Sequence, residues 1–281
     1  MINYREVIPT AKHIVPYIQS YTYSLGVLHE SNAKLITRTL PSVMTQIYFE
    51  FVGGLSEIET AGKRFEIAKR TYISCGLGSW MDIYQLKSNQ QSRAIKNFKV
   101  ELYPHALYEI FALSPLEIMN EDLTIADIFG LTTASLLYEE MESSANGEEM
   151  IKIFERYFTK IMLERDVEKN SLTTQLLKSS MSIKSLAKET GYSPRWLQKQ
   201  YRDKFGISYK KIQNNRRFLD TIEGVNQRVL SGKNKINFLD LVYDANYYDQ
   251  AHFIREFKKN TGMTPSNYLN QKYHDLVNFF W

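Results

Sequence analysis

Apolar and polar residues alternate over much of the first hundred positions, which is the pattern of β-strands with one buried face. In the middle of this region Ile47, Phe49 and Phe51 are separated by more polar residues, and Gly53-Gly54 follows as a turn signal. The same period predicts strands at Lys34–Thr39, Thr45–Val52, Arg64–Ala68, Thr71–Ser74, Met81–Leu86 and Lys96–Tyr103. Short strands at this spacing favour a small antiparallel barrel or sandwich.

After Pro104 the hydrophobic period becomes helical, and no further strand is predicted. Helices are expected at His105–Ala112, Pro115–Met119, Leu131–Glu142 and Glu148–Asp166, and the polar stretch Glu164–Ser171 is typical of an interdomain connection. The pattern therefore predicts an α+β fold. Its parts are a β-rich barrel- or sandwich-like domain at 1–130, a helical connector at 131–171 and an all-α domain at 172–281.

A helix-turn-helix pattern occupies residues 183–205. After a short helix, Gly191 supplies the residue of positive φ that a tight turn between helices needs. Ser193 is a good N-cap for the second helix, and Pro194 suits its first position. The inward residues of that helix are Leu197, Tyr201 and Phe205. The residues of this unit predicted to contact DNA are Ser193, Arg195, Gln198, Lys199 and Arg202, because these types bond bases or phosphate oxygens in the major groove.

Residues 238–257 repeat the plan. Here Asn246 takes the turn position, since Asn tolerates the left-handed region, and Asp249 is the expected N-cap. Phe253 and Phe257 would face inward. The outward residues predicted to contact DNA are Gln250, Ala251, His252, Arg255 and Lys258, with His252 either touching phosphate or simply packed.

A single long helix, from Ser208 to about Leu230, is predicted between the two units. At about 1.5 Å per residue it would span roughly 33 Å, comparable with the helical repeat of B-DNA of about 34 Å. The chain is therefore expected to contact two successive major-groove segments.

The distribution of charge supports a polyanionic partner. The whole chain carries a net charge of +4. Residues 172–281 hold 18 Lys and Arg against 9 Asp and Glu, a net +9, whereas residues 1–171 hold 17 against 22, a net −5. Such asymmetry suggests that the second part binds nucleic acid and that the first part does something else.

Residues of about 172–270 resemble the DNA-binding domain of AraC/XylS-type transcriptional regulators. The most specific stretch is DQAHFIREFKKNTGMTPSNYL at 249–269, which includes Gly262, Pro265 and Tyr268 of the signature of the family's second unit. Two residues depart from the family pattern, Val242 where Ala is usual and Asn246 where Gly is usual.

Residues 3–130 resemble, less specifically, an N-terminal domain found in some of these regulators, through the segments 40–51 and 98–130. The resemblance implies a compact β-rich domain that senses an effector or dimerises. A small-molecule effector, a second copy of the chain and RNA polymerase are therefore candidate partners beside double-stranded DNA. Trp80, Tyr84, Tyr48 and Phe49 would either line an effector pocket or form ordinary core.

Other classes of function find less support. The chain has one cysteine, Cys75, and scattered histidines without ligand spacing, so no metal or other cofactor is expected. Neither a secretory signal nor a stretch of apolar residues long enough to span a membrane is present, and a cytoplasmic location is expected. We therefore predict a transcription regulator rather than an enzyme. Two alternatives remain, in which the N-terminal half is a protein-docking module without a small-molecule site, or an enzyme is fused to the DNA-binding part.

Overall fold

The computed structural model describes residues 2–29, 36–40, 42–52, 56–60, 63–67, 71–75, 81–85, 92–118, 123–165, 176, 181–230, 247, 249–270 and 277–280. Its strands are β1 (Ile2–Val7), β2 (Ile18–His29), β3 (Ile36–Thr39), β4 (Thr45–Val52), β5 (Ser56–Thr60), β6 (Lys63–Ile67), β7 (Thr71–Cys75), β8 (Met81–Gln85), β9 (Ser92–Leu102) and β10 (Val277–Phe280).

The strands form two five-stranded sheets within the described residues. The first has the order β1-β2-β9-β4-β7 and is antiparallel throughout, and the second has the order β10-β3-β8-β5-β6. All six strands predicted from the alternation are present, with ends that differ by up to four residues. β1, β2 and β5 were not predicted. In β2 the apolar alternation is easily overlooked, because Ser20 and Thr22 on its other face are polar yet buried.

The expectation that no strand follows Pro104 is wrong at the C-terminal end of the chain. Val277–Phe280 forms β10 and pairs in parallel with β3, with Val277 opposite Ile36. A four-residue strand whose partner lies more than 200 positions away leaves no local signal, because its pairing is set by the tertiary fold.

The helices are α1 (His105–Phe111), α2 (Pro115–Ile118), α3 (Ile125–Phe129), α4 (Leu131–Ser143), α5 (Gly147–Glu164), α6 (Ile183–Thr190), α7 (Pro194–Phe205), α8 (Tyr209–Leu230), α9 (Gln250–Thr261) and α10 (Pro265–Asn270). The predicted helices before residue 165 and the long helix between the two units are confirmed, and α3 is an addition. Much of the predicted connection at Glu164–Ser171 and most of the first helix of the second unit lie outside the described residues.

The largest core lies between one face of the first sheet and the helices that follow it. Phe49, Phe98 and Val100 contribute from the strands, and Leu137 and Phe154 from α4 and α5. Each of these side chains is at most 1% exposed. The helices of residues 131–164 therefore pack in the same core as the sheet.

The other face of the first sheet is polar. Gln46 and Tyr48 on β4 lie opposite Glu101 and Lys99 on β9, because side chains alternate between faces along each strand. Phe49 thus belongs to the apolar core, whereas Tyr48 lies on the polar face.

Among the described helices, none has both the length and the apolar character required to cross a bilayer.

Candidate nucleic-acid interface

The first helix-turn-helix unit is built by local capping. α6 begins at an N-cap, Ser182, whose hydroxyl accepts a hydrogen bond from Ser185 N at 3.1 Å. It ends at Gly191, which has the left-handed φ of 76° that the sequence predicts. The Ser193 hydroxyl accepts a hydrogen bond from Trp196 N at 3.2 Å, and Pro194 follows as the first residue of α7. These caps fix where α7 starts and hence which of its residues face outward.

α7 is anchored by one apolar face. Leu197 and Tyr201 are fully buried and Phe205 is 3% exposed, as predicted. The Tyr201 hydroxyl donates a hydrogen bond to the carbonyl oxygen of Leu176 at 2.7 Å. Burial raises the pKa of Tyr201 well above its ordinary value, so the phenol stays protonated and keeps donating. The side of the helix opposite this face is consequently held toward solvent.

Four of the predicted DNA contacts lie together on that outer side. Arg195, Gln198, Lys199 and Arg202 are all exposed. They line an open cleft of about 1130 Å³, whose remaining walls come from the starts of α6 and α8. Guanidinium, ammonium and amide groups at this spacing present hydrogen-bond donors on one stripe of the helix, which suits phosphates and the edges of bases.

Lys199 is the member of this stripe that has a partner within its own helix. Its Nζ lies 2.8 Å from Asp203 Oδ2, one helical turn further along. The hydrogen bond to Asp203 raises the pKa of Lys199, so the ammonium stays charged. The pair is solvent-exposed, and its contribution to stability is small.

Sequence reasoning missed several polar residues of the same cleft. Ser182 at the start of α6 and Ser208, Lys210 and Gln213 at the start of α8 face the outer side of α7 across it. Ser182 was recognisable as an N-cap, but only the folded structure brings the beginnings of two helices to one cleft.

Trp196 is packed rather than free to intercalate. Its ring stacks on Tyr192, with centroids 4.0 Å apart and an angle of 17° between the planes. It is half-buried and contacts the core of the first unit. Trp196 is therefore a packing residue of the first unit.

The second unit has the same local design at α9. Asp249 is its N-cap and accepts a hydrogen bond from His252 N at 2.6 Å, and Gly262 ends the helix with φ 76°. Phe253 and Phe257 are buried, as predicted. The outward residues Gln250, Ala251, Arg255 and Lys258 are exposed. The atypical residues Val242 and Asn246 lie outside the described part of the chain.

His252 differs from the other predicted contacts of this unit. It is half-buried, and its ring meets that of Tyr247 edge-on at 5.5 Å between centroids. The structure therefore places His252 at the edge of the unit's core, next to the exposed stripe.

The C-terminal end of α7 lies against the N-terminal part of the chain. Lys204 is only 8% exposed, and its Nζ lies 3.7 Å from Glu109 Oε1 on α1. Beside this ion pair, the buried ring of His105 meets Phe205 edge-on at 6.3 Å between centroids. Burial, with a smaller contribution from the charge of Lys204, lowers the pKa of His105 to about 4. His105 is therefore neutral near pH 7.

Comparison with known proteins agrees with this geometry. Residues 186–271 match a family model described as a helix-turn-helix domain. The putative HTH-type transcriptional regulator YkgA of Escherichia coli (strain K12) is 26% identical over 130 residues, which cover 44% of this chain and 52% of that protein. The uncharacterized HTH-type transcriptional regulator YtdP of Bacillus subtilis (strain 168) is 22% identical over 158 residues, which cover 52% of this chain and 20% of that protein. The chain thus spans at most about half the length of these two relatives.

Among solved structures, ToxT of Vibrio cholerae is similar over 89% of this chain and 97% of its own, with 12% identity and a TM-score of 0.40. The two capped units, their residue pattern and the match to the family model lead to one conclusion: residues 186–271 are a helix-turn-helix domain of the AraC type.

Proposed function

We propose that the chain is a sequence-specific DNA-binding transcription regulator that contacts two adjacent major-groove segments. The observation that carries the proposal is the exposed stripe Arg195, Gln198, Lys199 and Arg202 on α7, a helix whose opposite face is locked in a core. In the major groove, arginine side chains typically form hydrogen bonds to guanine and glutamine side chains to adenine, while cations on the same stripe attract phosphates.

The second unit contributes the outer side of α9. Gln250, the first residue of α9, and Arg255, its sixth, are exposed on the N-terminal half of a capped helix, as Arg195 and Gln198 are on α7. Phosphate contacts from the basic residues of 172–281 would supply most of the affinity, and the side chains named here the choice of sequence.

Selection of binding sites tests this proposal. The full chain is incubated with a pool of random duplexes, and bound DNA is amplified and sequenced over several rounds. We expect enrichment of a motif with two conserved blocks about one helical turn apart. Failure to enrich any motif, with binding that depends only on salt, would reduce the chain to a non-specific DNA-binding protein.

We further propose that the N-terminal domain senses a polar effector on the polar face of the first sheet. Glu101 on β9 is 1% exposed and accepts hydrogen bonds from Gln46 Nε2 at 2.7 Å and Lys99 Nζ at 2.9 Å through Oε1. Ser20 Oγ donates to its Oε2 at 3.4 Å. A buried ion pair is often no more stable than an apolar replacement, so stability alone gives little reason for one here. A few convergent polar groups beside aromatic rings are typical of a small-molecule site.

Two aromatic residues lie on the same face of the sheet as these buried polar groups. The rings of Tyr48 and Tyr72 stack with centroids 4.4 Å apart, and burial raises the pKa of both phenols. Trp80 lies outside the described residues, and the side chain of Tyr84 is likewise not described.

A thermal-shift screen of the full chain against sugars, amino acids and small carboxylic acids tests this role. A true effector raises the melting temperature of the wild-type chain in a concentration-dependent way, since binding to the folded state alone stabilises it. The shift should be lost in Gln46→Leu and kept in Ile8→Ala, an exposed position of the same domain. No shift with any compound, together with partner-dependent activity, would favour the protein-docking alternative.

A further inference from the structure

The short segment between β3 and β4 contributes to the cores of both helix-turn-helix units. Leu40, 2% exposed, belongs to the cluster of the second unit, which contains Phe253 and Phe257 of α9. Val43, 8% exposed, belongs to the cluster of the first unit, which contains Leu197 of α7. We call Leu40, Ser42, Val43 and Met44 the strap residues. Through Leu40 and Val43, these residues contact the cores that lie beneath the two predicted DNA-binding helices.

The strap residues are fixed at both ends by strands. Leu40 follows β3 directly, and Thr45 begins β4, where it pairs with Leu102 of β9. Between these ends Met44 N donates a hydrogen bond to Ser42 Oγ at 3.0 Å. Anchoring of this kind lowers the conformational freedom of a connection. The strap residues can therefore transmit the positions of the two sheets, one at each end, to the side chains that pack on them.

The two units are also joined directly by the helix α8. Ile212 near its start is buried in the first cluster, and Phe218 and Ile222 are buried in the second. Arg217 adds a cation–π contact, with its guanidinium 4.6 Å from the centre of the Tyr247 ring. A continuous helix sets the distance between the units along its axis, but one connection alone leaves the second unit freer to tilt. A second point of attachment, at Leu40 and Val43, restricts that tilt.

We propose that the strap residues orient the second unit relative to the first and thereby position the two DNA-binding helices for a composite site. The expected effect on DNA binding rests on the proposed function, whereas the orientation of the two units does not. Leu40 and Val43 are positioning residues in this scheme, since they lie in the cores beneath the exposed stripes and act through α7 and α9.

Distance measurement by double electron–electron resonance tests the structural part. Spin labels are placed in the full chain at Lys188→Cys on α6 and Lys259→Cys on α9, in a Cys75→Ser background; both lysines are exposed and outside the predicted contacts. We expect a narrow distance distribution in the parent chain, and a shifted or broadened one in Leu40→Ala and Val43→Ala. Leu137→Ala, which removes an equally buried leucine from the N-terminal core, should leave the distribution unchanged.

Milder variants keep the experiment decisive. Leu40→Val leaves a smaller cavity and replaces Leu40→Ala if that variant unfolds, while Leu40→Met should keep the parent distribution. An unchanged distribution in every folded strap variant would overturn the proposal.

DNA binding provides the second measurement. In the strap variants, binding of the first unit no longer holds the second unit in place over its own DNA segment. Affinity for a two-segment site should therefore fall on the order of tenfold or more, while affinity for a single-segment site is unchanged. An equal loss on both DNAs would contradict positioning. If the parent chain selects no DNA sequence at all, the proposed function fails, and the distance distributions still decide whether the strap orients the units.

Discussion

At the scale of single residues, the exposed stripe of α7 carries two kinds of side chain. Lys199, paired with Asp203, is an exposed cation suited to phosphates, whereas Arg195 is the second residue of the helix and Gln198 the fifth. In a helix that lies in the major groove, the residues of its N-terminal part are the ones that contact base edges. Residues of this stripe should therefore differ in how their loss affects specific and non-specific binding.

Arg195→Ala and Gln198→Ala should each weaken binding to the selected sequence by about 1–3 kcal/mol and leave binding to scrambled DNA nearly intact. Fluorescence anisotropy with both duplexes at one fixed salt concentration measures the difference. The control is Lys188→Ala, which removes a cation from α6 outside the cleft. It should lower the affinity for both duplexes about equally, if at all. Loss of equal size on both duplexes for Arg195→Ala would make that residue a phosphate contact only.

At the scale of elements, two glycines in helices have opposite surroundings. Gly147 is the first residue of α5, and a β-carbon there would lie 2.3 Å from the ring of Tyr23, which is itself only 4% exposed. Gly224 lies within α8, and a β-carbon there would meet nothing within 4 Å. The first glycine permits close packing of helix on sheet, and the second only weakens its helix.

Gly147→Ala should therefore lower the free energy of unfolding by about 1–3 kcal/mol, because the buried ring has little room to move. Gly224→Ala should raise it by about 0.5–1 kcal/mol, because alanine favours the helix. Urea denaturation followed by circular dichroism gives both values. A free energy of unfolding that is unchanged or raised in Gly147→Ala would show that helix packing around Gly147 is not as close as described.

The same elements show what the sequence could predict. Caps such as Ser193 and Asp249, and the turn glycine Gly191, follow from neighbours in the chain, and the structure confirms each of them. The amphipathic faces of α7 and α9 follow from helical periodicity and are confirmed as well. These features are local, so a single sequence contains them.

Features that depend on distant partners were not predictable. The pairing of β10 with β3, the contacts of Leu40 and Val43 with the two units, and the ion pair between Glu109 and Lys204 all join residues separated by more than 90 positions. No alternation or spacing near any of these residues specifies such a partner, because tertiary packing selects it.

At the scale of the whole molecule, the N-terminal part and the first unit share a buried contact that contains an ionisable group. The ring of His105 lies between Tyr17 and Tyr103 of the N-terminal part and Phe205 of α7. The charged groups nearby are Lys204 and Glu109. Protonation of His105 would place an additional cation beside the ammonium of Lys204 in this interface.

Because the pKa of His105 is lowered to about 4 in the folded chain, the unfolded chain binds this proton more readily. The free energy of unfolding that the neutral His105 contributes is therefore fully present above about pH 6.5. It is lost as the pH falls towards 4, by up to about 3 kcal/mol. Urea midpoints measured between pH 7 and pH 4 for the wild type and for His105→Gln test this. The wild type should lose more stability than the variant over this range, and parallel pH profiles would contradict the assignment.

One chain is proposed to contact two successive major-groove segments through α7 and α9. Hydroxyl-radical footprinting of the full chain on its selected site tests it most directly, in the wild type and in Arg255→Ala. We predict two protected segments on one face of the duplex, about one helical turn apart. Arg255→Ala should weaken only the segment bound by the second unit. Protection of a single segment, unaffected by Arg255→Ala, would contradict the account.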